Sequence, residues 1–215
     1  ATVAGYNIRT QSEQIKKNIG YMSQRFSLYE DLKVWENIRL FAGIYGMKDK
    51  DIAEKTDQLL HRLDFESERN TLVKSLPLGW KQKLAFSVAI FHSPKIVFLD
   101  EPTGGVDPAT RRQFWEMIYQ AAEDNITVFA TTHYMDEAVM ADRVMVINDG
   151  ELYADGTPKE VFRDVGALRR VGLDVPQGRE LMDALEQNGV SFADSPIDNA
   201  GCAALILERY RSRSK

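Results

Sequence analysis

Between residues 25 and 94 the apolar positions recur at helical spacing. Val34, Ile38, Phe41, Ala42 and Tyr45 stand three and four apart, and Ile52, Leu59, Leu60 and Leu63 share one face of a second run. Gly46 and Asp49 punctuate the two. A third helix is predicted to start near Leu78, after Pro77, and to carry Leu84, Val88 and Phe91 inward until Ser93-Pro94 stops it. Past Pro94 the period changes. Residues 96–99 are a continuous β-prone run, as expected for a strand buried on both faces of a parallel sheet. Asp107-Pro108 then offers an N-cap and a first-turn proline for a helix to about Ala122, with Phe114, Ile118 and Ala122 on its stripe. A strand at 126–130, a helix near 135–140 and a strand at 143–147 follow. Asn148-Asp149-Gly150 reads as the turn of a hairpin into Glu151-Leu152-Tyr153. Further on, 180–187 suits a helix ended by Asn188-Gly189, whereas 203–209 fits helix or strand. The pattern predicts an α/β chain with a helical insert and an antiparallel appendage.

Composition narrows the partners. The 215 residues carry 27 Lys plus Arg against 32 Asp plus Glu, a formal net charge of -5 that argues against indiscriminate nucleic-acid binding. With 44% apolar and 27% charged residues the chain has the makings of a globular core. The single Cys202 excludes a disulfide framework and a thiolate zinc cluster. No apolar run approaches the ~20 residues of a membrane-spanning helix. The opening Ala1-Thr2-Val3-Ala4-Gly5 has neither an initiating Met nor a signal-like pattern, and reads as sequence from inside a domain. The basic stretch 209–215 is read as a solvated terminus.

The sharpest local feature is Leu99-Asp100-Glu101-Pro102-Thr103, two adjacent carboxylates where a buried strand emerges. In open α/β sheets ligands sit at the carboxyl ends of the strands. A first carboxylate there can hold Mg2+, and the next can reach a water beside a phosphate on that ion. Read alone, such a run is an ordinary polar strand end. Its company changes the weighing: Gly104-Gly105-Val106-Asp107-Pro108 follows at once, His133 stands just past the next strand, and Gln24 ends a short β-prone stretch upstream.

In this order and spacing the segments resemble the ATP-binding cassette (ABC) ATPases, the motors of ABC transporters, over about residues 1–164. Gln24 matches the Q-loop of that family, and Leu76-Pro77-Leu78-Gly79-Trp80-Lys81-Gln82 occupies the signature position. Residues 96–100 match Walker B, with Glu101 as the catalytic glutamate; 104–107 match the D-loop, and His133 the switch histidine. The resemblance implies a P-loop NTPase-like parallel sheet core with a helical subdomain, incomplete at the N-terminus. It also implies ATP and Mg2+, with Asp100 and Gln24 serving the metal, Glu101 polarising water and His133 holding the γ-phosphate. Gln24, Pro77, Leu78, Gly79 and Asp107 would line the nucleotide, and Asp107 would link two sites of a head-to-tail dimer. The expected partners are transmembrane subunits and a homodimer mate or related ATPase, with no nucleic acid, at the cytoplasmic face of the cell membrane. Met22-Ser23-Gln24-Arg25-Phe26-Ser27-Leu28-Tyr29, Gly105-Val106-Asp107-Pro108 and Thr132-His133-Tyr134-Met135-Asp136-Glu137-Ala138 look most like drug and small-molecule exporter ATPases. Gly172-Leu173-Asp174-Val175-Pro176 is similar to vitamin and metal importer ATPases, so direction stays open.

Two departures bear on mechanism. Where the family presents Ser-Gly-Gly-Gln, Pro77 has neither hydroxyl nor N–H and Leu78 adds a Cβ, so one charge-assisted hydrogen bond of ~1.5 to 3 kcal/mol is missing. The helix start keeps its free N–H groups and partial positive charge. Trp80 is expected to pack against a neighbour. The second departure is larger: no G-x-x-x-x-G-K-[ST] loop occurs, and there is no Gly-Lys pair at all. The expectation is a chain beginning after the phosphate loop, with apolar surface exposed on Phe98, Val128 and their neighbours. The expected divisions are a core remnant at 1–24, a helical subdomain at 25–94, the Walker B to H-loop half of the core at 95–164, and a C-terminal appendage at 165–215. A non-hydrolysing ABC-fold module is the competing reading. A soluble ABC ATPase of translation or DNA repair is disfavoured by the single short insert.

Overall fold

The computed structural model describes residues 1–24, 28–192 and 194–213. The stretch Arg25-Phe26-Ser27, part of the exporter-like wording, lies outside the described residues, as do Ala193, Ser214 and Lys215. The chain divides into two compact units, Ala1–Thr131 and Thr132–Lys215.

The first unit opens with a small antiparallel pair, β1 (Thr2–Val3) and β2 (Tyr6–Asn7), and a polar helix α1 (Ser12–Asn18). Next comes β3 (Ile19–Met22), then α2 (Val34–Ile44) and α3 (Asp49–Leu63). Val34, Ile38 and Ala42 of α2 are buried one turn apart, as their spacing requires. Asn37 is buried on the same helix, and its amide donates to the carbonyls of Tyr29 and Lys33 while its oxygen accepts the Tyr29 N–H. One side chain thus ties the turn at 29–33 to α2.

After a 3-10 turn at Val73–Ser75, α4 (Leu78–Ile90) is buried nearly all round from Leu84 to Ala89. A helix apolar on every side is a central helix. It packs on β3 and on β4 (Ile96–Asp100), and it comes so close to β3 that a Cβ on Gly20 would stand 2.1 Å from the Ala89 carbonyl oxygen. Trp80 stacks on Phe65 with centroids 4.5 Å apart, the packing role the sequence suggested.

α5 (Pro108–Glu123) leads to β5 (Thr127–Thr131), and β3, β4 and β5 form a parallel sheet in that order. The buried stripe of α5 is Phe114, Trp115, Ile118 and Ala121. Ala122 points outward instead, because positions 114, 118 and 121 follow the helical turn more closely than 114, 118 and 122.

The strand at 96–99 is not buried on both faces. Val97 and Leu99 are fully covered, but the opposite row in register, Tyr21, Phe98 and Phe129, is not: Tyr21 is 54% and Phe129 44% exposed. The exposed apolar surface expected near Phe98 and Val128 is therefore centred on Phe129, with Phe98 and Val128 half-buried.

The second unit carries α6 (Met135–Ala138), the hairpin β6 (Val144–Asn148) and β7 (Glu151–Gly156), and helices α7 (Pro158–Val161), α8 (Val165–Arg170), α9 (Gln177–Gln187) and α10 (Asn199–Arg213). Residues 203–209, open between helix and strand, lie within α10. Its core gathers Val146, Val161, Phe162, Val165, Leu168 and Val175. Burying such side chains stabilises by roughly 1.5–3 kcal/mol each. Among the described residues no helix is long and apolar enough to cross a membrane.

Candidate functional site

The site begins at the carboxyl end of β4. Asp100 pairs in register with Thr131 of β5, and the Thr131 hydroxyl donates to Asp100 Oδ1 at 2.7 Å. Glu101 then leaves the strand with φ of 44°, in the left-handed region that a side-chain-bearing residue seldom adopts. Two observations show what holds it there. Its N–H is shared between the carbonyl oxygen and hydroxyl of Thr131, at 3.1 and 3.2 Å, and its carbonyl accepts the Gly104 N–H at 3.0 Å. The turn swings the Glu101 carboxylate to Gln24, whose Nε2 donates to Glu101 Oε2 at 2.7 Å. Gln24, Asp100 and Glu101, 77 residues apart at the extremes, thus meet at one strand end.

Asp100 and the amide oxygen of Gln24 are hard oxygen donors, the type that Mg2+ takes while drawing its remaining ligands from water and phosphate. Among the described residues no group of three or more His, Cys, Asp and Glu side chains is arranged to hold a metal by itself. The chemistry of these two oxygen donors fits Mg2+.

The loop beyond Glu101 is fastened to α4. Gln82, 4% exposed, donates through Nε2 to the Gly104 carbonyl at 3.0 Å. At the start of α4 no side chain caps the helix: Pro77 occupies the cap position, and the Trp80 and Lys81 N–H groups return to its carbonyl. Leu78 is 42% exposed, and its Cδ2 lies 3.5 Å from where a Cβ on Gly105 would stand. Gly79 faces α5: a Cβ there would lie 2.6 Å from Thr110 Cγ2.

Asp107 caps α5. Its Oδ1 accepts the N–H groups of Ala109 and Thr110 at 3.0 Å, and its Oδ2 accepts the Thr110 hydroxyl at 2.5 Å. The Thr110 hydroxyl, and then the backbone N–H groups, hold the Asp107 carboxyl below the usual range. His133 stands in the second unit, exposed, with its ring 4.2 Å from that of Tyr134.

Two side chains at the site escaped the sequence reading. Thr131 looked like an ordinary β-branched strand residue, and only the parallel register places its hydroxyl beside Asp100. Gln82 was visible as part of the signature segment, but its bond to Gly104 depends on the packing of α4.

Known proteins resemble the chain in sequence and in fold. The sequence profile described as ABC transporter matches residues 2–104. The probable multidrug ABC transporter ATP-binding protein YbhF of Escherichia coli K12 is 42% identical over 161 residues, which are 75% of this chain and 28% of that protein. The chain belongs to the ABC transporter ATP-binding family. The phospholipid-transporting ATPase ABCA3 of Rattus norvegicus is 36% identical over 168 residues, 78% of this chain and 10% of its own length. This ABC chain thus spans little more than a quarter of the bacterial relative and about a tenth of the rat one. Among solved structures, cbiO1 of Clostridium perfringens, described as part of the ABC transporter complex cbiONQ, superposes with a TM-score of 0.67 at 26% identity. That match covers 85% of this chain and 75% of cbiO1. A second structure, an ATP binding subunit of an ABC transporter, gives the same TM-score at 22% identity and supports the fold alone.

Proposed function

We propose that this chain supplies the hydrolytic half of a nucleotide site in an ABC transporter ATPase, and that the whole protein couples ATP hydrolysis to transport. The observation that carries the proposal is the convergence of Gln24, Asp100 and Glu101 at the mouth of the parallel sheet. When bound, Mg2+ neutralises phosphate charge and orients the terminal phosphoryl group. Asp100, steadied by Thr131, and Gln24 would hold that ion. Glu101, turned out of the strand by its positive φ, would accept a proton from the attacking water. In the resting arrangement its Oε2 is engaged by Gln24, so nucleotide entry must redirect one of the two side chains. His133 would contact the γ-phosphate.

Asp107, Leu78, Gly79 and Pro77 are proposed to face the nucleotide of a second cassette in a head-to-tail dimer. Pro77 removes the hydroxyl that the family places there and Leu78 adds a Cβ in place of a glycine, leaving the backbone of the α4 start as the donor. The helical insert at 25–94 is proposed to pass the motion to transmembrane subunits at the cytoplasmic face of the membrane.

The likeness to the probable multidrug transporter protein YbhF supports an exporter of drugs or small molecules, and that to the phospholipid-transporting ABCA3 a transporter of lipid. The fold likeness to cbiO1 keeps an importer ATPase as the alternative. A non-hydrolysing module is favoured by the altered signature at Pro77-Leu78 and by the lack of a phosphate loop among these residues, and opposed by Glu101 and His133.

The deciding experiment replaces Glu101 by Gln in the full-length protein. The amide keeps the size and an acceptor for Gln24 but cannot take a proton, so turnover is expected to fall on the order of a hundredfold or more while ATP binding persists. Undiminished hydrolysis excludes the assigned role.

A further inference from the structure

One polar network in the second unit lies outside the groups assigned so far. Glu137 of α6 is only 2% exposed. The Thr132 hydroxyl donates to Glu137 Oε2 at 2.7 Å, and Thr132 Oγ1 in turn accepts the Tyr134 N–H at 3.0 Å. The backbone closes the ring: the Tyr134 carbonyl accepts the N–H groups of Glu137 at 3.0 Å and Ala138 at 3.3 Å. The residues on both sides of His133 are therefore fastened, Thr132 through its side chain and Tyr134 through both of its backbone groups. His133 itself stays exposed, its ring beside that of Tyr134.

Starting a one-turn helix does not require this. A serine or threonine hydroxyl facing the next amides suffices, and it can be solvated. Here the hydroxyl is instead given a fixed direction by a carboxylate taken out of water, which is costly for the fold. A hydrogen bond to a charged acceptor is also stronger and more directional than one to a neutral group. Such an expense at the residues flanking an exposed imidazole makes sense where that imidazole must be aimed.

We infer that Thr132 and Glu137 are positioning residues that aim His133 at the γ-phosphate. The inference rests on the ATPase reading above. Neither residue touches nucleotide; both act through the His133 backbone.

The test uses the full-length protein, reading kcat and KM for ATP hydrolysis, equilibrium ATP binding and the melting temperature. Thr132→Val removes the hydroxyl at nearly constant volume and is expected to lower kcat roughly tenfold or more, with ATP affinity within about twofold of the parent. Thr132→Ser restores the hydroxyl and should recover kcat to within about threefold. Glu137→Gln keeps the shape but exchanges the charge-assisted bond for a neutral one; kcat should drop several-fold with the melting temperature unchanged. That variant decides the matter should Thr132→Val fail to fold. A parental kcat in Thr132→Val or in Glu137→Gln overturns the inference, as does a fall in kcat that Thr132→Ser does not repair. His133→Ala separates the two levels. If it abolishes turnover while Thr132→Val does not, the clamp alone is wrong. If it leaves turnover intact, the role given to His133 falls, and the clamp with it.

Discussion

At the scale of single residues, Gly79 shows how one position can serve packing where function was expected. The resemblance assigns it to the nucleotide, yet its missing side chain also makes room for Thr110 Cγ2, which a Cβ would approach to 2.6 Å. Thr110 cannot easily yield, since its hydroxyl and N–H are both held by Asp107. Gly79→Ala is therefore expected to destabilise the fold by about 1–3 kcal/mol, the usual range for overpacking. Thr110→Ser removes the clashing methyl but keeps the hydroxyl for Asp107, so the double variant should regain most of the loss. Denaturant midpoints of the four proteins check this; a double variant no more stable than Gly79→Ala shows that the methyl is not the obstacle. Asp107 adds a linked pH effect. Its carboxyl is depressed in the folded state, so the stability it adds is present above the ordinary aspartate range and is lost as acidity passes through the lowered value.

At the scale of elements, the joint between α4 and β3 is the most revealing. His92 follows the end of α4, and its Nε2 donates to the Ile19 carbonyl at 3.1 Å while its ring stacks on Tyr45 at 3.6 Å. A carbonyl accepts only, so the proton sits on Nε2, and the buried Nδ1 has no partner among the described residues. A second proton would have to be placed on that buried atom. Burial accordingly pushes the His92 pKa from 6.5 down to about 4. The unfolded chain binds the proton first, so stability is expected to fall as pH drops from about 6.5 towards about 4. His92→Phe keeps the stack and removes the titration; its urea midpoint should change less between pH 7 and pH 5 than that of the parent. An equal pH response in both would show that other groups are responsible. The same joint explains what the sequence could and could not tell. The apolar spacing of α2 and α3 was legible, because burial of one stripe is what the spacing encodes, whereas α4, covered nearly all round, was legible from the prolines that bound it. α1 was not, since Ser12–Asn18 buries no residue and leaves no stripe to find. Asp100, Glu101 and Gln24 were readable through their order along the chain, whereas Thr131 and Gln82 act through register and helix packing, which single-residue patterns do not carry.

At the scale of the molecule, the parallel sheet has one covered face and one open one. α4 covers the row of Gly20, Val97 and Met22, Leu99, while Tyr21, Phe98 and Phe129 form an aromatic row on the other side, with Phe98 stacked on Phe129 at 5.5 Å. Parallel sheets are ordinarily covered on both faces, and a large exposed apolar patch marks a surface that another element occupies in the working protein. The carboxylates at the end of that sheet can act on a phosphate but do not grip one; a tight grip needs a backbone cradle and a lysine, and these residues contain no Gly-Lys pair. Both facts lead to one expectation for the 215-residue chain on its own. It should bind an apolar dye such as ANS strongly, unfold over a broad transition, and show no saturable binding of ATP up to millimolar concentration with or without Mg2+. Phe129→Lys or Tyr21→Lys should reduce dye binding without restoring nucleotide binding, because the patch and the missing cradle are separate deficits. A tight, Mg2+-dependent ATP titration on this same chain would mean that the strand-end carboxylates, Gln24 and the uncapped start of α4 suffice to hold a triphosphate, and the division of labour proposed here would have to be abandoned.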